Sequence, residues 1–357
     1  MLQKFHSRGN VMFDVKSLEI EKDVVRQLEQ ALETYLGFDH VVAVENEAVA
    51  FRVCLEQYKQ EDEVFCSPVA THALHRALSE LSLKPLYTDL RLDATTETRF
   101  LERQLTEKSK CFVLSHYQGV CSSTENVQKF CAQHELSFVE DATHSFYQYK
   151  KSSAKIVVFS LDSLIDSQIA QGAFIATDDL SLAQTLRSRV QGGYQKRKNW
   201  NYDLLNKDKN VQLSALNAHF ALKHLEEIVE KKQKVQKIQM QYREALSGVK
   251  LLTLPSQNNL SSERSFSVIL DPSLFCPKED IYSELLDAGI AVKVGLKPVY
   301  KTEAFLDESM QLFGVEEVYK GVILLPIAHD MSEIDVHRVV EKFKEVLDKY
   351  AYRGCSF

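Results

Sequence analysis

The sequence predicts a two-domain α/β protein, in which a large domain built on a mainly parallel sheet precedes a smaller α/β domain. Short apolar runs alternate with amphipathic helical segments up to residue 190, the pattern typical of a parallel sheet covered by helices. A long helical stretch over residues 213–246 follows, and strand and helix patterns then start again. The chain has 357 residues, of which 45% are hydrophobic, and this is enough for two buried cores.

The elements of the large domain follow from apolar spacing and from Gly and Pro at their ends. Apolar residues recur at helical spacing over residues 24–36, and Gly37 then ends that helix. The same reasoning predicts helices over residues 48–58, 71–81, 97–106, 124–134 and 180–190, and strands over residues 40–44, 63–66, 84–87, 111–115, 137–139, 156–160 and 172–177.

Ligands of open parallel sheets bind beyond the carboxyl ends of the strands. We therefore expect one crevice, surrounded by the four loops 45–48, 68–72, 116–119 and 141–144. Residues 191–202 are polar and basic and predict an exposed loop. In the smaller domain we predict strands 265–270 and 290–294 with helices 278–288 and 332–350, and we place the domains at residues 1–229 and 230–357.

Charge and composition exclude several classes of partner. The 43 basic and 50 acidic residues give a net charge of −7 without a long basic run, so nucleic acid and anionic membranes are excluded as partners. No stretch approaches the ~20 apolar residues of a membrane span, and the first residues do not resemble a signal peptide. We expect a cytoplasmic protein. The seven cysteines lack metal-ligand spacing, which predicts reduced thiols and no metal site.

Residues 138–144, Phe-Val-Glu-Asp-Ala-Thr-His, end a predicted strand with two acids and a histidine. They resemble the Glu-Asp-Ala-x-Gln/His motif of the DegT/StrS family of sugar aminotransferases, and the similarity continues without gaps through residues 159–177. The resemblance implies fold type I, with a seven-stranded sheet, and a homodimer with sites at the subunit interface. It also implies pyridoxal phosphate (PLP) or pyridoxamine phosphate (PMP) as cofactor, and a nucleotide-linked keto-sugar of amino-sugar or surface-polysaccharide synthesis as ligand.

The resemblance also assigns roles to single residues. Asp141 would face the pyridine nitrogen of the cofactor, where an anionic acceptor is needed, and His144 would lie beside the ring. Ser160 would contact the phosphate, and Asn210 would reach it from the neighbouring subunit. His72 lies in the turn that packs over the ring. The alternatives are a strand-end Asp141 bonded to backbone and a partly exposed, structural His72.

Two departures from the family pattern bear on activity. Ungapped counting places Ile165 at the position of the lysine that forms the Schiff base, and isoleucine supplies neither nucleophile nor base. Glu47 and Ala48 replace the Gly and Thr of the phosphate loop. If Glu47 pointed inward, its carboxylate at ~4 Å from a phosphate charge would cost about 4 kcal/mol at an effective dielectric of about 20. If it turned to solvent, it would only favour the helix N-terminus.

Three functional hypotheses remain open on the sequence. The first is a homologue without transaminase activity that acts as a binding or regulatory protein. The second is an enzyme that binds PLP or PMP noncovalently, with His144, His72 or Asp166 as its base. The third is that Lys209, beside Asn210, supplies the missing amine to the neighbouring subunit.

Overall fold

The computed structural model describes residues 20–21, 23–164, 171–198, 201–204, 208–255, 262–274 and 277–353. Ile165 and Asp166 lie outside the described residues. The prediction that Ile165 takes the place of a lysine therefore rests on the sequence, and the same holds for Asp166 as a base.

Within the described residues, the large domain contains one sheet of seven strands. These are β1 (His40–Val44), β2 (Glu63–Cys66), β3 (Lys84–Tyr87), β4 (Ser109–Ser115), β5 (Ser137–Asp141), β6 (Ile156–Ser160) and β7 (Ala173–Thr177). Their order is β1-β7-β6-β5-β4-β2-β3. Strands β2, β3, β4, β5 and β6 pair with one another in parallel. Strand β7 pairs antiparallel with β1 on one side and with β6 on the other. The predicted mainly parallel, seven-stranded sheet is confirmed.

Helices cover both faces of this sheet: α1 (Val24–Leu36), α2 (Glu47–Leu55), α3 (His72–Glu80), α4 (Thr124–Gln133) and α5 (Leu180–Val190). Apolar side chains of α2, α3 and α5 form one buried cluster on one face. Those of α1 and α4 belong to a second cluster on the other face. The alternation of apolar runs and amphipathic segments in the sequence thus corresponds to a sheet with a layer of helices on each face, as predicted.

A buried carboxylate links three elements at the β1 edge of the sheet. Glu29 of α1 accepts hydrogen bonds from the amide of Ala43 at 3.0 Å and from Nη1 of Arg187 at 2.6 Å. Arg187 lies on α5, and its Nη2 donates to the carbonyl of Val41 at 2.7 Å. The sequence pattern gave no sign of this pair, because it joins residues far apart in the chain.

Two predictions in the large domain were wrong. The helix predicted over residues 97–106 is a short 3₁₀ turn, Leu101–Gln104, because the backbone leaves the helical region on both sides: Phe100 has φ −120° and ψ 10°, and Leu105 is extended with φ −64° and ψ 135°. The exposed loop predicted over residues 191–202 contains a two-stranded hairpin, β8 (Tyr194–Lys198) and β9 (Asn201–Leu204). Its polar sequence lacks the apolar alternation on which strand prediction depends.

The long helix predicted over residues 213–246 is two helices, α6 (Ala215–Glu226) and α7 (Ile228–Leu246). Glu227 separates them with φ −94° and ψ 0°, outside the helical region. The break lets each helix pack on a different partner, since α6 contacts α1 and α7 contacts the last helix, α10 (Glu333–Arg353).

A second, four-stranded sheet follows within the described residues, all antiparallel and ordered β10-β11-β13-β12. Its strands are β10 (Leu252–Thr253), β11 (Ser265–Leu270), β12 (Lys293–Val294) and β13 (Val322–Pro326), and its remaining helices are α8 (Lys278–Asp287) and α9 (Phe313–Gly321). The sequence analysis missed α9, β10 and β13 and made β12 too long. The domain boundary at residues 229 and 230 falls inside α7, and we retain it as a proposal, supported by this separate sheet.

None of the helices in the described ranges combines the length and the apolar character that crossing a membrane requires.

Candidate functional site

The carboxyl ends of three neighbouring strands place polar side chains on one face of the large sheet. Asp141, the last residue of β5, pairs in register with Ser115 of β4 and with Val158 of β6. Paired residues in a sheet point to the same face, and so does Ser160, two residues beyond Val158. All three polar residues are buried. They lie on the face covered by α2 and α3, where the sequence predicts the crevice.

Hydrogen bonds from the following turn fix the carboxylate of Asp141. Its Oδ1 accepts from the hydroxyl of Thr143 at 2.6 Å and from the amide of Thr143 at 3.2 Å. Only 3% of Asp141 is exposed to solvent. The structure thus places a buried carboxylate at the end of β5, bonded in part to backbone as in the alternative that the sequence left open. Its role toward a cofactor stays a prediction.

Glu47, the first residue of α2, points into this crevice. Asn46 caps the helix, because its Oδ1 accepts from the amide of Val49 at 2.9 Å. Inside the crevice, Oε2 of Glu47 accepts a hydrogen bond from the hydroxyl of Thr71 at 3.2 Å. Of the two orientations that the sequence left open for Glu47, the structure has the inward one.

Several charges act on the Glu47 carboxyl. Burial raises its pKa above the ordinary value, and this effect is opposed by the nearby Ser160 and His144. Asp141 and Asp162 lie close enough to raise the pKa further. Three carboxyl groups therefore share one crevice with one histidine.

The structure brings together only some of the residues that the sequence singled out. Asp141, His144, Ser160 and Glu47 meet, and Ala48 lies beside Glu47 in the first turn of α2. Three other residues, His72 at the start of α3, Lys209 and Asn210, are exposed on this chain. Oδ1 of Asn210 accepts from the amide of Gln212 at 3.3 Å. That Asn210 contributes to the site of a neighbouring subunit stays a prediction.

The loop after β4 brings the segment before β11 close to the crevice. Gln118 and Gly119 both have positive φ, 48° and 78°, and the carbonyl of Gln118 accepts from the amide of Ser262 at 3.1 Å. A Cβ on Gly119 would lie 2.3 Å from the Ser262 nitrogen and 2.7 Å from the His144 carbonyl oxygen. Only glycine permits this approach between the two domains.

Sequence reasoning missed two polar features of the site. The hydroxyl of Thr71 holds Glu47, yet Thr71 was noted only as part of a turn. Behind Asp141, Glu140 is fully buried; its Oε2 accepts from Tyr149 at 2.8 Å and from Ser152 at 2.6 Å, and its Oε1 lies 3.5 Å from Nε2 of His116. Successive side chains of a strand point to opposite faces, so the adjacent acids Glu140 and Asp141 could have predicted one carboxylate on each side of β5.

Within the described part of the chain, no three His, Cys, Asp or Glu side chains are grouped as the ligands of a metal ion would be.

Comparison with known families agrees with this fold. The model of the DegT/DnrJ/EryC1/StrS aminotransferase family matches residues 16–344. The chain belongs to this family. The family depends on PLP. The solved structures that superpose on the chain are aminotransferases of fold type I, so the predicted architecture is confirmed.

The relatives are distant in sequence and similar in fold. A UDP-4-amino-4,6-dideoxy-N-acetyl-beta-L-altrosamine transaminase of Helicobacter pylori is 23% identical over 335 residues, covering 90% of this chain and 89% of that protein. PseC of Helicobacter pylori, an aminotransferase involved in pseudoaminic acid biosynthesis, superposes with a TM-score of 0.84 at 22% identity over 92% of each chain. The PMP form of Spr1654 from Streptococcus pneumoniae also gives a TM-score of 0.84, at 17% identity over 93% of this chain and 92% of that one.

The residues of the crevice do not fit a phosphate-bearing cofactor at its phosphate end. The hydroxyl of Thr71 donates to Glu47 at 3.2 Å. Ser160, which the family resemblance assigns to the phosphate, lies close enough to the same carboxyl to lower its pKa. A phosphate group at this helix start would meet a carboxylate instead of free donors.

Proposed function

We propose that this chain is a homologue of the nucleotide-sugar aminotransferases that does not transfer amino groups and acts as a binding or regulatory protein in amino-sugar or surface-polysaccharide synthesis. The observation that carries the proposal is the Glu47 carboxyl inside the crevice, where it accepts from the hydroxyl of Thr71 at 3.2 Å. Ile165 at the lysine position, counted from the sequence, supports it. Loss of both the amine and the phosphate site removes two separate requirements of the reaction.

The proposed ligand is a nucleotide-linked sugar, and the proposed assembly is a homodimer. The curated relative named above acts on a UDP-linked amino-sugar, which supports the ligand class. Asn210 and Lys209, which the resemblance places at the neighbouring subunit's site, are exposed on this chain and so are free to meet a second copy.

A second candidate is an enzyme that uses noncovalently bound PLP or PMP on a nucleotide-linked keto-sugar, with His144 as the base. The buried carboxylate of Asp141, held by Thr143, favours it, because an anionic acceptor at that place serves a pyridinium nitrogen. An absorbance spectrum with added PLP separates the two. A dissociable cofactor spectrum favours this candidate, and an unchanged spectrum favours the binding protein.

The proposal predicts no amino transfer from glutamate to a UDP-linked keto-sugar in the presence of PLP. Because neither an amine nor a base is supplied at residue 165, the rate of 2-oxoglutarate release should lie at least ~10⁴-fold below that of the Helicobacter pylori transaminase under the same conditions. Turnover within about tenfold of that relative would overturn the proposal.

A further inference from the structure

Glu47 lies at the start of α2, where the family resemblance places the phosphate of the cofactor. It begins a nine-residue helix that Asn46 caps, and its carboxyl accepts from the hydroxyl of Thr71 at 3.2 Å. Ser160 lies close enough to the same carboxyl to lower its pKa. We infer that the Glu47 carboxyl is a built-in replacement for a ligand phosphate, so that the crevice rejects phosphate esters and accepts the same ring when it carries an uncharged group there.

Two further carboxyl groups act in the same direction, and one histidine opposes them. Asp141 at the end of β5 and Asp162 after β6 lie close enough to raise the pKa of Glu47, and His144 lies close enough to lower it. A phosphate dianion would therefore enter among three carboxyl groups. An uncharged hydroxymethyl group carries no such repulsion, and its hydroxyl can donate to Glu47.

The inference deepens the proposed function and rests on it, because it names the chemistry by which this homologue excludes the phosphorylated cofactor. It predicts discrimination between two forms of one ring compound, pyridoxal and its phosphate. Because free pyridoxal also cyclises to an internal hemiacetal, which PLP cannot form, each ligand is compared between protein variants and not directly with the other ligand.

Calorimetric titration with PLP and with pyridoxal tests the inference on the wild-type chain and on Glu47→Gln. Gln keeps the size of the side chain and removes the charge, so PLP should bind more tightly to the variant by about tenfold up to about a thousandfold, the limit set by one charge pair at ~4 Å and an effective dielectric of about 20. Pyridoxal should bind the two proteins with affinities within about twofold of each other.

The matched control is Glu45→Gln, which removes an exposed carboxylate two residues earlier in the same loop. It should leave the affinity for PLP within about twofold of wild type. Equal binding of PLP to wild type and Glu47→Gln, an equal gain in Glu45→Gln, or no binding of PLP by any variant would each overturn the inference. These titrations need no amino donor, so the two proposals can fail separately. Equal binding of PLP to wild type and Glu47→Gln, together with no turnover in the assay above, would overturn this inference and leave the proposed function standing.

Thermal unfolding from pH 5 to pH 8 gives a second readout. A carboxyl whose pKa is raised on folding contributes stability below its ordinary pKa and loses it as the pH rises through the folded value. Asp141, Asp162 and His144 face Glu47, and all three are kept in the variant. The melting temperature of Glu47→Gln relative to wild type should therefore increase with pH. A difference that is constant with pH would mean that Glu47 faces solvent, and this would also overturn the inference.

Discussion

Ile165→Lys alone is expected to leave the protein without measurable amino transfer. The new side chain supplies an amine, but Glu47 still occupies the hydroxyl of Thr71, and the phosphate of PLP meets a carboxylate. Restoring the reaction requires both the amine and the phosphate site, because a cofactor that does not bind cannot react. The measurement is 2-oxoglutarate release from glutamate with a UDP-linked keto-sugar.

The triple variant Ile165→Lys, Glu47→Gly, Ala48→Thr is the matched comparison. It returns the family's residues to the loop and should bind PLP up to about a thousandfold more tightly than Ile165→Lys does. Ile165→Met, which has similar length and no amine, controls for the change in side-chain shape. If Ile165→Lys alone gained as much activity as the triple variant, the phosphate site would be functional as it stands and Glu47 would be irrelevant.

Arg187→Ala is expected to lower the free energy of unfolding by about 3 kcal/mol. The substitution removes the partner of a buried carboxylate, Glu29, whose side chain is only 5% exposed, together with the bond to the Val41 carbonyl. Urea denaturation measures the change. The expected loss is large because Glu29 then keeps only the Ala43 amide and the exposed guanidinium of Arg26 at 3.2 Å.

Arg26→Ala is the control for this prediction, because Arg26 contacts the same carboxylate from solvent. Its side chain is 46% exposed, so its loss should cost at most about 1 kcal/mol. Equal effects of the two substitutions would show that the buried bonds of Arg187 contribute no more than a surface ion pair.

The large domain was predictable because each of its strands is a short apolar run with a clear stop. His40–Val44 and Glu63–Cys66 have the bounds that the sequence predicts. The strand Val322–Pro326 was missed because it follows the helix Phe313–Gly321 with no connecting residue, so no separate turn segment marks where it begins. Local pattern thus predicts elements best where the chain marks their ends.

The motif of residues 138–144 predicted where the site lies, but the sequence could not decide the direction of Glu47. A carboxylate in the first turn of a helix is favourable whether it faces solvent or a pocket. Only the positions of Thr71 and Ser160, which come from other parts of the chain, make the inward direction favourable. Contacts between residues far apart in the chain cannot be predicted from the local spacing of residue types.

The absence of any covalent link between cofactor and protein is the central claim, and mass spectrometry tests it most directly. Wild-type protein is incubated with PLP, reduced with borohydride, digested and searched for pyridoxyl-lysine, with the exposed Lys209 as the first peptide to inspect. We predict no modified lysine beyond the background of a denatured control. A single lysine labelled in near-stoichiometric amount, at residue 209 or elsewhere, would contradict the account.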